Sequence, residues 1–323
     1  MLKNCVLFTL SANQELGKKF AAALGMELSP VSVKRFPSGE IIAESIETVR
    51  GKNVYIIQST CPPVNENLME LLIFVDSLKR SSAAEINVII PYFGYARQDR
   101  KAKPRQPISA RLVADLLKVS GVTRVVTVDL HAPQIQGFFS CLVDELATAP
   151  LYVATFLQDS HFNTKNLVTV SPDHGGVTRA RKIADGLNTT LAIIDKRRNS
   201  RLEPEVMNII GSVEGKDCLI VDDMIDTAGS ACAAADALIN AGAKSVKIIA
   251  THAVLSDPAF ERLSKSKFNQ IIVSDSIPLP ERFKELNCKV ISLAPMLAAS
   301  IKKIQLGEPL SVVYDMYKVE DHD

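Results

Sequence analysis

The chain has 323 residues, of which 47% are hydrophobic and 23% are charged, and its formal net charge is +1. This length allows two domains with substantial cores, and the balanced charge excludes the strongly basic surface typical of nucleic-acid-binding proteins. No stretch of about 18 apolar residues is present to span a bilayer, and the first residues do not resemble a secretory signal. We therefore expect a globular protein that binds neither nucleic acid nor membranes.

The cysteine pattern indicates a reducing compartment. Six cysteines occur, none in a C-x-x-C pair, and most lie in apolar stretches. This pattern favours packed thiols over a disulfide framework or a zinc site. We therefore predict a cytoplasmic location.

The first polar turn of interest covers residues 35–40, with the sequence Arg-Phe-Pro-Ser-Gly-Glu. The chain has neither a GxxxxGK[ST] loop nor a GxGxxG fingerprint after a strand, so a nucleotide would have to bind in another way. Phe36 could stack on a base, and the alternative is that it belongs to the core. The Arg97-Gln98 pair is the second candidate, and composition does not decide between these interpretations.

Apolar strands alternate with amphipathic helices along the chain. Strands are predicted at 54–58, 86–92, 167–171, 191–194, 218–221 and 271–274, and helices at 68–79, 109–121, 151–158, 178–187 and 230–242. This alternation predicts βαβ units and a mostly parallel sheet in each half. Ligands should gather at the carboxyl ends of the strands. A domain boundary is expected near Pro150.

A helix–strand unit at 109–132 is repeated at 230–253. Identical residues recur at the same steps of both copies, among them Ser109 and Ser230, Gly121 and Gly242, and His131 and His252. In each copy we predict a helix that closes at glycine and a strand that ends at histidine. The repetition indicates a duplication. The first copy has a basic, proline-containing insertion at 96–107 and lacks the acidic pair of the second copy.

Two side chains are candidate metal ligands. His131 follows Asp129 at the end of a predicted strand; an isolated histidine is most often structural, and imidazole is an unusual ligand for Mg²⁺. Spacing alone leaves both interpretations open. Asp173 precedes Gly175 and Gly176, whose lack of side chains lets the backbone approach an anion.

The run Asp195-Lys196-Arg197-Arg198 directly follows the predicted strand at 191–194. One interpretation is a solvated basic turn. The other is that cations at the carboxyl end of a strand neutralise a transferring phosphoryl group.

The most informative segment is 218–230. An apolar strand leads into Asp222 and Asp223, and a small-residue loop then opens a helix that we predict to be capped by Ser230. The loop would aim backbone N–H groups at an anion, and the two carboxylates can accept hydrogen bonds from vicinal hydroxyls. The segment predicts a site for a sugar phosphate such as ribose 5-phosphate; a capped helix after an acidic turn is the alternative.

Segments 65–72, 95–101, 129–139, 170–181 and 221–230 together resemble the ribose-phosphate pyrophosphokinases, or phosphoribosyl pyrophosphate synthetases, of the bacterial class I type. The resemblance covers nearly the whole chain. It implies an α/β fold of two tandem type I phosphoribosyltransferase-like domains, each with a mostly parallel sheet flanked by helices. The domains are expected at 1–149 and 150–323, with the last residues packing on the first domain.

The resemblance also implies an activity. Members of this family transfer the diphosphoryl group of MgATP to the C1 hydroxyl of ribose 5-phosphate, and the products are AMP and the 5-phosphoribosyl 1-diphosphate used for nucleotide, histidine and tryptophan biosynthesis. They form hexamers in which the turn around Phe36 completes a neighbour's ATP site, and many are inhibited by ADP and activated by phosphate.

Where residues of this chain match the motifs of the family, the resemblance also implies roles for them. Lys196 and Arg198 would stabilise the diphosphoryl group, with Arg198 also contacting the sugar phosphate, and His131 and Asp173 would be associated with Mg²⁺. The ATP residues would be Phe36, Ser38, Gly39, Glu40, Arg97 and Gln98. The ribose 5-phosphate residues would be Asp222, Asp223, Asp226, Thr227, Ala228, Gly229 and Ser230.

Two other functions remain as alternatives. A phosphoribosyltransferase shares the 221–230 signature, but it needs one such domain and not a duplicated chain with the 96–107 insertion. A catalytically silent homologue that only joins synthetase assemblies should lack parts of the site, whereas Lys196, Arg198 and the acidic pair are present.

Overall fold

The computed structural model describes residues 4–160, 162–197 and 206–318, with the backbone alone at 196, 197, 206 and 207. The described residues divide into two compact units. The first unit holds the residues up to Ala147 together with Ser276–Pro278 and Ser292–Val313. The second holds Thr148–Asp275, Leu279–Ile291 and the residues from Tyr314 onward.

The first unit contains a parallel sheet and a separate hairpin. Its strands are β1 (Cys5–Thr9), β2 (Val31–Arg35), β3 (Ile41–Ser45), β4 (Asn53–Ile57), β5 (Glu85–Ile90), β6 (Arg124–Val128) and β7 (Leu142–Leu146), and its helices are α1 (Gln14–Leu24), α2 (Val64–Arg80) and α3 (Ser109–Ser120). The sheet has the order β1-β4-β5-β6-β7, and every two neighbouring strands in it are parallel. Strands β2 and β3 pair with each other antiparallel.

Helix α2 shows why these residues fold in this way. Leu71, Phe74, Val75 and Leu78 recur at helical spacing, and all four are fully buried. Phe74 packs edge-to-face on Phe8 of β1, with ring centroids 5.1 Å apart. Each such side chain contributes about 1.5–3 kcal/mol by leaving water, so the apolar stripe fixes α2 against the sheet.

The second unit contains a larger mixed sheet. Its helices are α4 (Ala149–Leu157), α5 (Val177–Leu187), α6 (Gly229–Asn240) and α7 (Ala259–Ser264), and its strands are β8 (Leu167–Ser171), β9 (Thr190–Arg197), β10 (Val206–Ile210), β11 (Asp217–Ile225), β12 (Ser245–Ala253), β13 (Phe268–Ser274) and β14 (Cys288–Ile291). The order is β10-β9-β8-β11-β12-β13-β14, and β10 runs antiparallel to β9 while the other pairs are parallel.

The final helix, α8 (Ala294–Leu306), belongs to the first unit. It packs on α1, where Lys302 Nζ donates to the carbonyl oxygen of Ala23 at 3.1 Å. Tyr55 on β4 donates its hydroxyl to Gln305 Oε1 at 2.7 Å. The chain therefore returns to the first unit after β14.

The duplication predicted from sequence corresponds to equivalent parts of the two sheets. The segment β5-α3-β6 begins at the central strand of the first sheet, and the segment β11-α6-β12 begins at the central strand of the second. In each case a helix joins two neighbouring parallel strands. No helix of the described residues combines the length and the apolar character needed to cross a membrane.

Two predictions about the segment 218–230 are corrected by the structure. β11 does not stop at Val221 but continues through the acidic pair to Ile225, because its pairing with β12 persists to Ala253. Ser230 does not cap α6. The N-cap is Ala228, whose left-handed backbone (φ 60°) turns the chain into the helix before Ser230, without a side-chain capping bond.

The prediction that both repeated strands end at histidine is wrong. β6 ends at Val128, because Asp129 adopts a left-handed backbone (φ 39°) that terminates the strand, and His131 lies in the turn beyond it. His252 lies inside β12 and is buried. The two histidines therefore occupy different environments in spite of the repeat.

Candidate active site

The acidic pair forms a compact polar group near the end of β11. Asp223 is 4% exposed, and its backbone N–H donates to Asp222 Oδ1 at 2.8 Å. The side chain of Asp222 keeps 29% of its surface open to solvent. One carboxylate is thus held inside the fold while its neighbour can still reach a ligand.

Arg179 is a member of this group that sequence reasoning did not single out. It lies in the first turn of α5, and its Nη1 is 3.5 Å from Asp223 Oδ1 and 3.8 Å from Asp222 Oδ1. One guanidinium therefore faces both carboxylates. The signal in the sequence is its place three residues after Gly176, but its partners lie on a distant strand.

The environment raises the pKa of Asp222. Burial is the largest cause, followed by the negative charge of Asp223 and the hydrogen bond between the two groups, and Arg179 opposes the shift only in part. Two carboxylates held together disfavour their joint ionisation. The pair is therefore arranged at a cost to the fold, a feature typical of functional sites.

Replacing Asp222 by asparagine is expected to stabilise the protein at alkaline pH. Because folding raises the pKa of this carboxyl, its contribution to stability is complete below the ordinary aspartate value of about 4 and is lost as the pH rises through the folded value. Asp222→Asn has no carboxyl to ionise at this position. Its Tm should exceed that of the wild type at about pH 8, by about 2–4 °C for each kcal/mol relieved.

Thermal unfolding of both proteins across the pH range measures this effect. The difference in Tm should vanish at about pH 4, where the wild-type carboxyl is protonated. A variant that is no more stable than the wild type at about pH 8 would contradict the repulsion inferred for the pair.

The loop after the acidic pair presents backbone donors. Residues 226–228 connect β11 to α6, and Ala228 holds a left-handed conformation with φ 60° and ψ 3°. The first N–H groups of a helix have no partner within the helix, and α6 receives no side-chain cap. Because the helix dipole also favours negative charge there, this end of α6 is suited to hold a phosphate.

Asp173 lies in the turn between β8 and α5. Its Oδ1 accepts the backbone N–H of Gly176 at 2.9 Å, and its carbonyl oxygen accepts the Ser171 hydroxyl at 2.7 Å. The side chain is exposed. Next to it, His174 Nε2 lies 3.0 Å from Asp195 Oδ1, which ties this turn to β9.

The side chains present fit a magnesium ion that is coordinated mostly by substrate phosphates and water, with Asp173 as a protein ligand. In the parts of the chain that the structure describes, no group of three or more histidine, cysteine or acidic side chains could hold a metal ion. Mg²⁺ usually retains water and binds through one or two carboxylates plus substrate phosphates. Asp173 is exposed and uses Oδ1 for Gly176, so its other oxygen suits that mode.

The predicted cationic residues follow Asp195 on β9. Lys196 lies on this strand, paired in register with Met207 of β10, and its side chain lies outside the described residues. Arg198 also lies outside them. β9 neighbours β8, and β8 neighbours β11. The backbone of Lys196 on β9 therefore lies in the same sheet as the acidic pair on β11.

The first unit contains a separate cavity of about 680 Å³ between the β2–β3 turn and α2. It brings together three predicted ATP residues, Phe36, Gly39 and Glu40, and Ser38 is joined to it by the bond from its hydroxyl to Glu40 Oε2 at 2.7 Å. The other lining residues are Arg35, Pro37, Ile41, Asn65, Glu66, Met69 and Ile73.

Phe36 is 49% exposed and is therefore not part of the core. The turn is closed by backbone bonds from Phe36 to Glu40 and from Gly39 back to Phe36, at 2.9 and 2.8 Å. Gly39 has φ 89°, a conformation that glycine adopts without strain. Arg35 anchors the turn to α2 through Glu66 at 2.8 Å.

Arg97 and Gln98 lie on an exposed turn near α2. The Tyr95 hydroxyl donates to Asn65 Oδ1, and Asn65 lines the cavity. Gln98 Oε1 accepts the Ser109 hydroxyl at 2.6 Å, so part of this side chain holds the start of α3.

His131 lies in the first unit on an exposed turn, whereas Asp173 lies in the second unit. Two bonds hold the His131 turn to β7: the N–H of Asp129 donates to the Leu146 carbonyl at 3.0 Å, and the N–H of Leu130 donates to Glu145 Oε1 at 2.8 Å. His131 therefore stays a predicted magnesium-associated residue whose backbone is well anchored.

Comparison with known proteins places both units. Residues 5–121 match a model of the N-terminal domain of ribose phosphate pyrophosphokinase, and residues 143–281 match a phosphoribosyl transferase domain. A ribose-phosphate pyrophosphokinase of Fusobacterium nucleatum is 52% identical over 97% of this chain and 98% of its own length. One from Oceanobacillus iheyensis is 48% identical over 96% of both chains.

A solved structure agrees over nearly the whole fold. The phosphoribosylpyrophosphate synthetase of Mycobacterium smegmatis is 42% identical, with a TM-score of 0.89 that covers 94% of this chain and 100% of the other. These matches confirm the family resemblance and the two-domain α/β fold predicted from sequence. The chain belongs to the ribose-phosphate pyrophosphokinase family.

Proposed function

We propose that this protein transfers the diphosphoryl group of MgATP to the C1 hydroxyl of ribose 5-phosphate, giving 5-phosphoribosyl 1-diphosphate and AMP. The observation that carries this proposal is the continuity of β11 with the loop before α6. A carboxylate pair on the strand is followed within a few residues by an uncapped helix start. The pair suits a sugar diol and the helix start suits its phosphate, and family membership supplies the reaction.

The sugar is held at two points in this proposal. Asp222 and Asp223 accept hydrogen bonds from the vicinal hydroxyls, and backbone N–H groups of 226–230 bind the 5-phosphate. Arg179 faces the carboxylate of the buried Asp223 at 3.5 Å and so places a positive charge beside it. Because the residues that bind the hydroxyls and those that bind the phosphate lie on one strand–loop–helix segment, together they fix the position of C1.

The reaction is an in-line displacement at the β-phosphorus of ATP. The C1 oxygen forms a bond to this phosphorus, the bond from phosphorus to the oxygen that bridges to the α-phosphorus breaks, and AMP leaves with that oxygen while the hydroxyl proton is released. Phosphoryl transfer leaves little covalent work to a protein. Lys196 and Arg198 would stabilise the charge that develops on the transferring group.

The ATP is assigned to the first unit. The exposed ring of Phe36 would stack on the base, Ser38, Gly39 and Glu40 would surround it, and Arg97 and Gln98 would contact the nucleotide. The cavity beside this turn is large enough for a base and sugar, at about 680 Å³. We also propose a hexamer, by family membership, in which the turn around Phe36 would complete the ATP site of a neighbouring subunit.

Magnesium is proposed as the cofactor. When bound, it would neutralise phosphate charge and orient the diphosphoryl group. Asp173 would hold it with the oxygen that does not accept from Gly176, and His131 is a second residue that the family resemblance associates with magnesium. We also propose a cytoplasmic location, with ADP and phosphate as effectors.

An assay of product formation tests the activity directly. With MgATP and ribose 5-phosphate together, the protein should form AMP and 5-phosphoribosyl 1-diphosphate in equal amounts, and omission of the sugar phosphate should abolish AMP formation. Release of pyrophosphate that depends on a nucleobase would indicate a phosphoribosyltransferase instead. Absence of both reactions in the assembled protein would indicate a silent homologue.

A further inference from the structure

Arg262 contacts the candidate phosphate loop from outside the segment that forms it. It lies on α7, which packs on α6. Its Nη1 donates to the carbonyl oxygen of Thr227 at 2.9 Å. None of the sequence patterns that predicted the site includes this residue.

The lack of a side chain at Gly229 makes room for the guanidinium. A β-carbon built there would lie 3.1 Å from Arg262 Nη1, closer than most carbon contacts in proteins. The arginine therefore lies directly against the first turn of α6. A larger residue at position 229 would push it away from the loop.

The bond to Thr227 orients the donor that follows it. In a trans peptide the carbonyl oxygen of one residue and the N–H of the next point in opposite directions. With the Thr227 carbonyl held toward Arg262, the N–H of Ala228 points to the other side of the loop. Ala228 has a left-handed backbone, which residues other than glycine rarely adopt. The Thr227–Ala228 peptide therefore needs an external contact to stay in place.

Arg262 also adds positive charge beside the loop. Within the described residues it has no carboxylate within ion-pair distance, whereas the neighbouring Arg282 pairs with Asp257 at 2.7 Å. A guanidinium whose charge is not cancelled by an acidic partner favours a bound anion nearby.

We propose that Arg262 is a positioning residue for the 5-phosphate of the sugar substrate: it fixes the Thr227–Ala228 peptide and adds positive potential behind it. This inference rests on the proposed function, because it takes the loop as the phosphate site. Arg262 acts through the loop and does not touch the reacting atoms.

Arg262→Met tests the proposal with Arg282→Met as the matched control. Loss of a charge-assisted hydrogen bond should raise KM for ribose 5-phosphate by about 10-fold and leave KM for ATP and kcat within about 2-fold. Arg282→Met should leave all three constants unchanged, because Arg282 contacts Asp257 and the rings of Phe260 and Phe283 and not the loop. Arg262→Lys, which keeps a charge and a donor, should recover most of the affinity.

Calorimetric binding of ribose 5-phosphate without ATP separates the possible failures. The wild type should bind, and Arg262→Met should bind about 10-fold more weakly. Equal binding by the two proteins would overturn the role of Arg262 and leave the proposed function standing. A wild type that does not bind ribose 5-phosphate would overturn the proposed function and this inference with it. An equal effect of Arg282→Met would overturn the specific role of Arg262.

Discussion

Lys196→Ala is expected to lower kcat by about 10²–10³-fold while KM for ribose 5-phosphate changes by less than about 3-fold. The reason is that, in the proposed mechanism, a cation at the end of β9 acts on charge that develops only as the diphosphoryl group transfers. Such an interaction is absent from the ground state, so its loss lowers kcat and not substrate affinity. Steady-state kinetics with each substrate varied in turn measures both constants.

Lys165→Ala provides the control for this prediction. Lys165 is an exposed lysine of the same unit that precedes β8, on the amino side of the sheet and away from the strand ends that form the site. Its removal should leave kcat unchanged. Wild-type turnover in Lys196→Ala would remove this lysine from the mechanism, and an equal rise in both Michaelis constants would assign it to substrate binding.

Asp223→Ala is expected to raise KM for ribose 5-phosphate by about 10²-fold, with little change in KM for ATP. Asp223 is the buried member of the acidic pair and has Arg179 beside it. Removing its carboxylate takes away the acceptor proposed for the sugar hydroxyls and leaves Arg179 facing Asp222 alone. Both effects weaken the grip on the sugar and not on the nucleotide.

Two further variants make the result interpretable. Asp223→Asn keeps the shape of the side chain, so it should fold as the wild type does and still bind the sugar weakly. Asp236→Ala removes an exposed carboxylate on α6 that pairs with Lys267 at 3.4 Å, and it should have wild-type kinetics. An unchanged KM for ribose 5-phosphate in both Asp223 variants would contradict the assignment of the diol site.

The sequence could predict the segment proposed to bind the sugar because the parts of that segment are local. An apolar strand, an acidic pair and a small-residue helix start stand next to each other in the chain, so their order alone predicts a strand–loop–helix segment. The details at its boundaries were less predictable. The strand continued through Asp222 and Asp223 because pairing with β12 continues, and Ser230 was not the cap because Ala228 adopts a left-handed backbone.

The sequence patterns could not predict residues that contact the candidate site from distant parts of the chain. Arg179 and Arg262 reach the site from α5 and α7, and only tertiary packing brings their side chains to β11 and its loop. Similarly, the turn at Phe36 was predicted as a nucleotide contact, but its partners on α2 were not. Single-chain patterns predict which segments carry chemistry, and packing determines their neighbours.

A crystal structure of the protein with ribose 5-phosphate tests the central claim most directly. We predict the 5-phosphate at the backbone N–H groups of 226–230 and the vicinal hydroxyls within hydrogen-bond distance of Asp222 and Asp223, with C1 open toward β9. Sugar phosphate bound at another place, with the loop before α6 left empty, would contradict the account.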